Sequence, residues 1–233
     1  MRYRAVWLSD FHLGTRACQA EQLLQFLRTI HTDHLYLVGD VVDGWRMARE
    51  FYWPESHAAV IAELVRLSGT GMTITIVPGN HDELLRVFSG LNLGKIQIRN
   101  QITHTTYRGK PVRTIPGDQI DLFVTNRRWW TNMFDWLHQV SDNLFGRRWI
   151  PASYFGMMNG FRQRAAAMCK QEHCQVIVCG HKHKPENTTV SGIQYINTWD
   201  WLESWTYLVE LPVGELALLT YPAAPVAEFD PAV

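Results

Sequence analysis

The sequence predicts a layered α/β fold, because apolar strand-like runs alternate with helix-like segments through its first half. Three of these runs are rich in β-branched residues, and polar clusters beginning with Asp10, Asp40 and Asn80 follow them. In layered α/β folds ligands bind outside the carboxyl ends of the strands, so we expect the three clusters to converge. With 233 residues, the chain suits one large domain, or one domain with an insertion, and needs no metal merely to fold.

The elements can be placed in order along the chain. The first half contains the strand-like runs AVWLS, LYLVG and MTITIVPG, separated by the helix-like segments QAEQLLQFLRTI and SHAAVIAELVRLSG. A β-rich stretch is expected from about Lys95 to Val124, and the later strands are QVIVCG, TTVSGIQYIN, WTYLVEL and ELALLTY. Between them, residues 126–170 carry four of the ten tryptophans and are predicted to form a helical insertion within a single domain, 1–233. The Pro- and Ala-rich residues 222–233 are predicted to be a flexible tail.

Composition narrows the class of protein. Lys plus Arg and Asp plus Glu both number 22, so the global charge favours no nucleic-acid partner. The four cysteines show neither the paired spacing of a zinc site nor the density of a secreted scaffold, so reduced thiols are expected. No run approaches 18 apolar residues, and Met1 leads into a strand-like segment without an apolar signal region. We therefore expect a cytoplasmic protein that can still contact a membrane surface.

Four short motifs contain residue types that bind hard divalent cations. They are Asp10-x-His12, Gly39-Asp40-x-x-Asp43, Gly79-Asn80-His81-Asp82 and Gly180-His181-x-His183. Such cations need oxygen and imidazole ligands at fixed distances, and a two-metal site needs one group that bridges both ions. Each motif is weak when taken alone, since a DxH sequence is more often a strand-end turn with a surface histidine. The glycines let the backbone bend sharply and approach the ions closely.

In this order, each after a strand-like run, the motifs resemble those of the calcineurin-like metallophosphoesterase superfamily, from Ala5 to about Glu210. The resemblance implies a β-sandwich flanked by helices and two divalent cations, with Mn²⁺ as the expected ion. It implies that the first ion is bound by Asp10, His12, Asp40 and His183, and the second by Asp40, Asn80 and His181. It also implies that His81 is the general acid or transition-state donor, oriented by Asp82. The alternative for His81 is a purely structural histidine.

The stretches SDFHLG, GDVVDGW, PGNHDE and YINTWDWLES are most similar to the UDP-2,3-diacylglucosamine diphosphatase group. Those enzymes cleave the diphosphate of a UDP-diacyl-sugar in lipid A assembly, releasing UMP and a lipid sugar phosphate, and their insertion forms a lid over the acyl chains. The resemblance implies a lipid-linked nucleotide-sugar substrate and peripheral contact with the inner membrane surface. Aromatic and guanidinium groups of the insertion suit this role. The candidate substrate-binding residues are Arg127, Arg128, Trp129, Trp130, Arg147 and Arg148. The tryptophans could equally pack the insertion onto the domain, and the two roles are compatible.

The chain departs from that group in the stretch TIPGDQID, where Pro116 occupies the position of a histidine ligand of the second metal. Proline has no ligating side-chain atom and no backbone N–H. Trp199 and Trp205 also stand where the group usually has Gly and Cys, and a tryptophan there could block or reshape the site. His104 is a weak candidate for the missing ligand, because it is expected on a different strand.

Three functions therefore remain open from the sequence. The chain could be an active two-metal phosphohydrolase whose second metal is weakly held, with water replacing the absent imidazole. It could be a phosphoesterase that uses another substrate or a single metal. It could also be a non-catalytic descendant that binds a lipid or protein. The first is favoured, because the six other ligands and His81 are all present.

Overall fold

The computed structural model describes residues 2–122, 152–180, 185–198, 201–202 and 204–221. The strands are β1 (Arg2–Leu8), β2 (His31–Val38), β3 (Thr73–Val77), β4 (Asn92–Leu93), β5 (Ile96–Ile98), β6 (Ile102–Thr105), β7 (Pro111–Thr114), β8 (Val176–Cys179), β9 (Glu186–Val190), β10 (Ile193–Asn197), β11 (Thr206–Glu210) and β12 (Leu216–Thr220). The helices are α1 (Ala20–Thr29), α2 (Gly44–Arg49), α3 (Glu55–Gly69), α4 (Gly117–Leu122) and α5 (Ala152–Gln171), with a 3-10 helix at Glu83–Phe88. Within these ranges, no helix combines the length and apolar character needed to cross a membrane.

The strands form two mixed sheets. The larger has the order β12-β11-β1-β2-β3-β5-β4, and the smaller has the order β6-β7-β8-β10-β9. Strands β1, β2, β3 and β5 run parallel in the larger sheet, as do β7, β8 and β10 in the smaller one. Their carboxyl ends therefore lie at the same edge of each sheet, where ligand sites form in such folds.

Side chains of β1 alternate between two cores, as the two-residue period of a strand requires. Val6 and Leu8 pack in a cluster with residues of α1 and α3, whereas Ala5 and Trp7 pack against residues of the smaller sheet. A third cluster, which includes Phe161 of α5, covers the opposite face of the smaller sheet. The result is a helix–sheet–sheet–helix arrangement, and the predicted α/β sandwich flanked by helices is confirmed.

Local structure differs from expectation between Lys95 and Val124. The β-rich stretch ends with β7, and α4 begins directly after Pro116, whose carbonyl accepts a hydrogen bond from the Gln119 N–H at 3.2 Å. A proline suits this place, because the first N–H groups of a helix have no intrahelical partner. Part of the predicted insertion, residues 126–151, and the predicted tail, 222–233, lie outside the described residues, so this division of the chain stays a prediction.

The expectation of four reduced thiols is wrong for one pair. Cys169 and Cys174 are joined by a disulfide, while Cys18 and Cys179 are free. Helix α5 ends between the paired residues, and the Cys174 N–H donates to the Cys169 carbonyl at 2.9 Å. This turn places their Cα atoms 5.0 Å apart, within the range that a disulfide spans.

A buried polar network joins the two sheets and includes His104. Its Nδ1 lies 2.9 Å from the Tyr36 hydroxyl and its Nε2 lies 2.8 Å from Glu210 Oε2. Glu210 is fully buried, and its other oxygen accepts the Tyr107 N–H at 2.7 Å. Both ring nitrogens of His104 are thus engaged between the sheets, so His104 does not supply the ligand that Pro116 lacks.

Candidate active site

Backbone hydrogen bonds continue beyond the ends of β1 and β2 and hold the first two motif loops together. The Asp10 N–H donates to the Gly39 carbonyl at 3.2 Å, and the His12 N–H donates to the Asp40 carbonyl at 2.9 Å. The Gly39 N–H donates in turn to the Val77 carbonyl at 2.8 Å, which ties the second loop to the end of β3. The three polar clusters therefore meet at one edge of the larger sheet, as predicted from the order of the strands.

Three side chains in these loops project from left-handed backbone. Asp10 has a φ of 54°, His12 a φ of 51° and Asp40 a φ of 50°. Residues other than glycine are uncommon in this region, although Asp and His enter it more readily than most. Such conformations persist where the surrounding structure imposes them, and they concentrate at functional sites.

The same three residues form a group that fits a divalent cation. One ligand atom from each of Asp10, His12 and Asp40 lies within 4.8 Å of those of the other two. Both carboxylates are buried, and His12 Nε2 lies 4.0 Å from Asp40 Oδ2. Buried like-charged carboxylates beside an imidazole are costly without a cation, and oxygen and imidazole are the ligand types that hard divalent ions accept.

Two glycines bring further backbone against these carboxylates. A Cβ built on Gly79 would overlap Asp40 Oδ1, and one built on Gly180 would lie 2.6 Å from Asp10 Oδ2. Asn80 follows Gly79, and the next residue, His81, donates its N–H to Asp40 Oδ1 at 3.0 Å. These contacts place the third motif against Asp40. Gly180, the first residue of the fourth motif, lies against Asp10. The ligand candidates His181 and His183 lie outside the described residues.

We expect Gly79→Ala to lower kcat/KM about 100-fold, since a displacement of about 1 Å in a catalytic group costs that much. The added methyl group can be accommodated only by moving the Asp40 carboxylate or the Gly39 backbone. The measurement is phosphodiester hydrolysis together with metal content by mass spectrometry. Gly69→Ala, at a position with open space around it, is the matched control and should be neutral. Unchanged hydrolysis by the Gly79 variant would show that this close approach is not required.

Asp43 links the cation group to the candidate general acid. Its Oδ2 lies 3.1 Å from His12 Nδ1 and also 3.1 Å from His81 Nδ1, while Oδ1 accepts the Arg46 N–H at 2.9 Å. Burial alone would raise the pKa of Asp43, but the hydrogen bonds from the two imidazoles and from Arg46 lower it well below its usual range. Asp43 therefore stays ionised and orients both rings. The sequence motif included Asp43, but its role was missed; its position just before α2, where a carboxylate caps a helix, was the available signal.

Asp82 hydrogen-bonds to the backbone of the loops, and its expected role toward His81 stays a prediction. We expected Asp82 to orient His81, yet its carboxylate accepts the Gly79 N–H at 2.5 Å and the Val41 N–H at 2.9 Å. Burial, and after it the nearby Asp40 carboxylate, raise the pKa of Asp82 to about 6. Asp82 thus braces the second and third loops against each other, and the carboxylate beside the His81 ring is that of Asp43.

Trp45 is a second residue that the sequence did not single out. Its ring centroid lies 4.9 Å from that of His81, and the residue remains 39% exposed. An exposed aromatic ring beside the candidate general acid offers a surface on which an aromatic or apolar part of a substrate can pack.

The TIPGDQID stretch lies at the edge of the same site. Pro116 is buried, and its Cβ is 3.9 Å from the position that a Cβ on Gly39 would take. Arg86 ties this stretch to the third motif, because it donates to Asp118 Oδ2 at 2.6 Å and to the Pro78 carbonyl at 3.1 Å. Pro116, which stands where the resembled group has a histidine, therefore lies next to Gly39, the residue before Asp40.

The structure describes one of the two tryptophans that depart from the group's pattern. Trp205 is half-buried and packs against the core cluster that includes residues of α1 and α3. Its indole therefore helps to fill that core. Trp199 lies outside the described residues.

Comparison with known proteins agrees with this geometry. The profile of the family described as calcineurin-like phosphoesterase matches residues 3–185. The chain belongs to the calcineurin-like phosphoesterase family. This phosphoesterase is 25% identical to a UDP-2,3-diacylglucosamine hydrolase of Cellvibrio japonicus over 208 residues, covering 80% of this chain and 85% of that protein. It is 36% identical over 84 residues to a UDP-2,3-diacylglucosamine hydrolase of Pectobacterium atrosepticum, covering 34% of each chain.

Solved structures show the same fold at low identity. A hypothetical protein of Pyrococcus horikoshii OT3 superposes on this phosphoesterase with a TM-score of 0.52 and 11% identity, covering 97% of this chain and 90% of that one. A Thermotoga maritima protein studied by solution NMR gives a TM-score of 0.50 at 18% identity, covering 95% and 99%. These similarities establish the fold alone.

Proposed function

We propose that this phosphoesterase cleaves the diphosphate of UDP-2,3-diacylglucosamine, or of a related lipid-linked or nucleotide substrate, to UMP and a lipid sugar phosphate. The observation that carries the hydrolytic part is the convergence of Asp10, His12 and Asp40 beside His81. The substrate class is supported by the Cellvibrio japonicus relative, which aligns over 85% of its own length. A cytoplasmic location at the inner membrane surface accompanies this proposal.

The described residues Asp10, His12 and Asp40 fit a divalent cation, and we propose that the complete site holds two, both Mn²⁺. Asp10, His12, Asp40 and His183 would hold the first ion, and Asp40, Asn80 and His181 the second. When bound, such ions supply positive charge that stabilises the reacting phosphoryl group and makes water acidic enough to react near neutral pH. Backbone hydrogen bonds hold the loops that carry Asp10 and Asp40 in place for this task.

His81 is proposed to donate the proton that the leaving oxygen requires. In the reaction the water oxygen forms a bond to phosphorus and gives up one proton to solvent, and the bond from phosphorus to the leaving oxygen breaks. The His81 proton moves to the leaving oxygen, and His81 regains a proton from solvent. The Asp43 carboxylate, 3.1 Å from His81 Nδ1, stabilises the protonated ring and leaves Nε2 as the donor. No covalent enzyme intermediate is needed.

The proposed substrate contacts at Arg127, Arg128, Trp129, Trp130, Arg147 and Arg148 lie outside the described residues. Their chemistry supports the proposal, since guanidinium groups bind phosphates and aromatic rings pack on acyl chains. The exposed Trp45 ring adds an aromatic surface that is already next to His81.

The test is hydrolysis measured with Mn²⁺ titrated from micromolar to millimolar concentration. We expect release of UMP from UDP-2,3-diacylglucosamine and slower turnover of bis(p-nitrophenyl) phosphate, both rising with Mn²⁺ and abolished by a chelator. Turnover of the simple diester alone would favour a different phosphoester substrate. Absence of turnover at every Mn²⁺ concentration, with metal bound, would overturn the catalytic proposal in favour of a binding protein.

A further inference from the structure

Asn80, the candidate ligand that the third motif gives to the second cation, is held by backbone contacts on its carboxyl side. The His81 N–H donates to Asp40 Oδ1 at 3.0 Å, and the His81 carbonyl accepts the Gly44 N–H at 3.0 Å. These bonds fix the peptide groups that follow Asn80. The residue before Asn80 is Gly79, and a glycine has more backbone freedom than any other residue. The position of Asn80 therefore depends also on what holds the chain before it.

Side chains hold both polar groups of the peptide between Pro78 and Gly79. The Pro78 carbonyl accepts hydrogen bonds from Arg86 Nη2 at 3.1 Å and from Arg86 Nε at 3.3 Å. The Gly79 N–H donates to Asp82 Oδ1 at 2.5 Å. Because a peptide group is planar, holding its carbonyl and its N–H fixes its orientation. Arg86 thus helps to set the direction in which the chain passes through Gly79 to Asn80.

Arg86 is itself anchored by a carboxylate outside the third motif. Its Nη2 also donates to Asp118 Oδ2 at 2.6 Å, and the side chains of Arg86 and Asp118 are only 23% and 12% exposed. An ion pair with so little exposure is screened less than a surface pair, so it holds its geometry more firmly. Among the described residues, Asp118 Oδ1 is buried without a hydrogen-bond partner, so Arg86 is the group that stabilises this carboxylate. The guanidinium thereby joins α4, which begins directly after Pro116, to the third motif.

We propose that Arg86 is a positioning residue for the second cation, acting on Asn80 through the Pro78–Gly79 peptide and anchored by Asp118. A guanidinium has no acceptor atom and cannot be a metal ligand, so its effect on the ion passes through the backbone. With proline at position 116 the second ion has one protein ligand fewer, and its affinity depends more on how the remaining ligands are held. The second cation belongs to the proposed function, and this inference rests on it.

The test is Mn²⁺ binding to the full chain without substrate, measured from the electron paramagnetic resonance signal of the free ion. We expect Arg86→Gln to weaken the second ion about tenfold or more and to leave the first unchanged, because lost contacts around a metal ligand cost about 10- to 100-fold. Arg86→Lys keeps the charge but lacks the fork that reaches the Pro78 carbonyl and Asp118 together. It should therefore weaken the second ion as well.

The anchor is tested with Asp118→Asn, alone and combined with Arg86→Gln. If Asp118 acts by holding Arg86, the single Asp118 variant should weaken the second ion, and the double variant should bind it no more weakly than Arg86→Gln alone. Additive losses would overturn the role of Asp118 as the anchor.

Arg66→Gln is the matched control for the loss of an ion pair. Arg66 pairs with the buried Glu63 at 2.6 Å in the last part of α3. Helix α3 ends shortly before β3 begins, and so at the sheet edge opposite the candidate site. We expect this variant to have a lower melting temperature and to bind both ions with unchanged affinity.

Several results would overturn the proposal. Arg86→Gln could bind both ions as tightly as the unchanged chain. Equal weakening of both ions, or the same weakening in Arg66→Gln, would show a general loss of stability. Binding of a single ion by the unchanged chain at every Mn²⁺ concentration would leave no second ion to position. Hydrolysis of bis(p-nitrophenyl) phosphate is measured separately, because the proposed function fails if both ions bind without turnover, whereas this inference fails on metal binding alone.

Discussion

Replacing His81 with Gln should lower kcat for an alkyl phosphodiester by about 10²- to 10⁴-fold, the range that general acid catalysis contributes. Glutamine keeps a polar side chain of similar length but carries no proton that can be transferred near neutral pH. The backbone N–H that His81 donates to Asp40 is retained in the variant, so the cation group should remain intact. The measurements are kcat and the number of Mn²⁺ ions bound per chain. The number of bound ions should stay unchanged.

The leaving group separates proton donation from charge stabilisation. A p-nitrophenyl diester releases an oxygen that needs little protonation, whereas an alkyl diester releases one that must be protonated. We expect the His81→Gln variant to lose much more activity on the alkyl diester. Equal losses on both would contradict the assignment of His81 as the proton donor and leave it only an electrostatic role. Asp43→Asn is the companion variant, because it keeps His81 but weakens the contact that stabilises the protonated ring.

Replacing Pro116 with His should raise the affinity for the second Mn²⁺ by about 10- to 100-fold or more, by analogy with the losses seen when groups around a metal are removed. Pro116 is buried against Gly39, which precedes the bridging candidate Asp40, so an imidazole at this position begins beside the site. Calorimetry measures the affinity for Mn²⁺ and the number of ions bound per chain. Hydrolysis is then measured as a function of Mn²⁺ concentration. We expect the variant to reach full activity at a lower concentration.

Pro116→Ala is the control for this variant. Alanine removes the pyrrolidine ring and restores an N–H without adding a ligand, so it should leave Mn²⁺ affinity low. An equal gain in both variants would mean that the ring, rather than the missing imidazole, limits metal binding. If neither variant gains affinity while the original chain binds two ions, the absent histidine is compensated by other ligands.

The fold was predictable from the sequence because the order of its elements is visible in the first half of the chain. Strand-like and helix-like runs alternate, and a motif follows each strand, so convergence of the loops at one sheet edge follows from parallel pairing. Helix α4 was not predicted, because six residues beginning with Gly after a proline are typical of a turn. The Cys169–Cys174 disulfide was also missed, because the end of α5 brings together two cysteines whose spacing matches no metal or redox motif.

The site was predictable in its composition more than in its contacts. Asp10, His12 and Asp40 lie together as the motifs implied, because each belongs to the loop that follows a buried strand. The partner of His81 could not be read from the sequence, since Asp82 is adjacent in the chain and Asp43 is distant. The choice depends on how the second and third loops pack. Once the Asp82 carboxylate accepts two backbone N–H groups from those loops, Asp43 is the carboxylate placed against the ring.

The left-handed backbone at Asp10, His12 and Asp40 lowers the stability of the fold while it positions the side chains of the candidate active site. Each of these conformations costs about 1 kcal/mol or more relative to glycine, in a protein whose whole stability is of the order of 5–15 kcal/mol. Glycine at any of the three positions would relieve this backbone strain and would remove a candidate metal ligand at the same time. Substitutions that relieve the strain at these positions would therefore act against the proposed catalysis. Selection for folding alone cannot account for two aspartates and a histidine there.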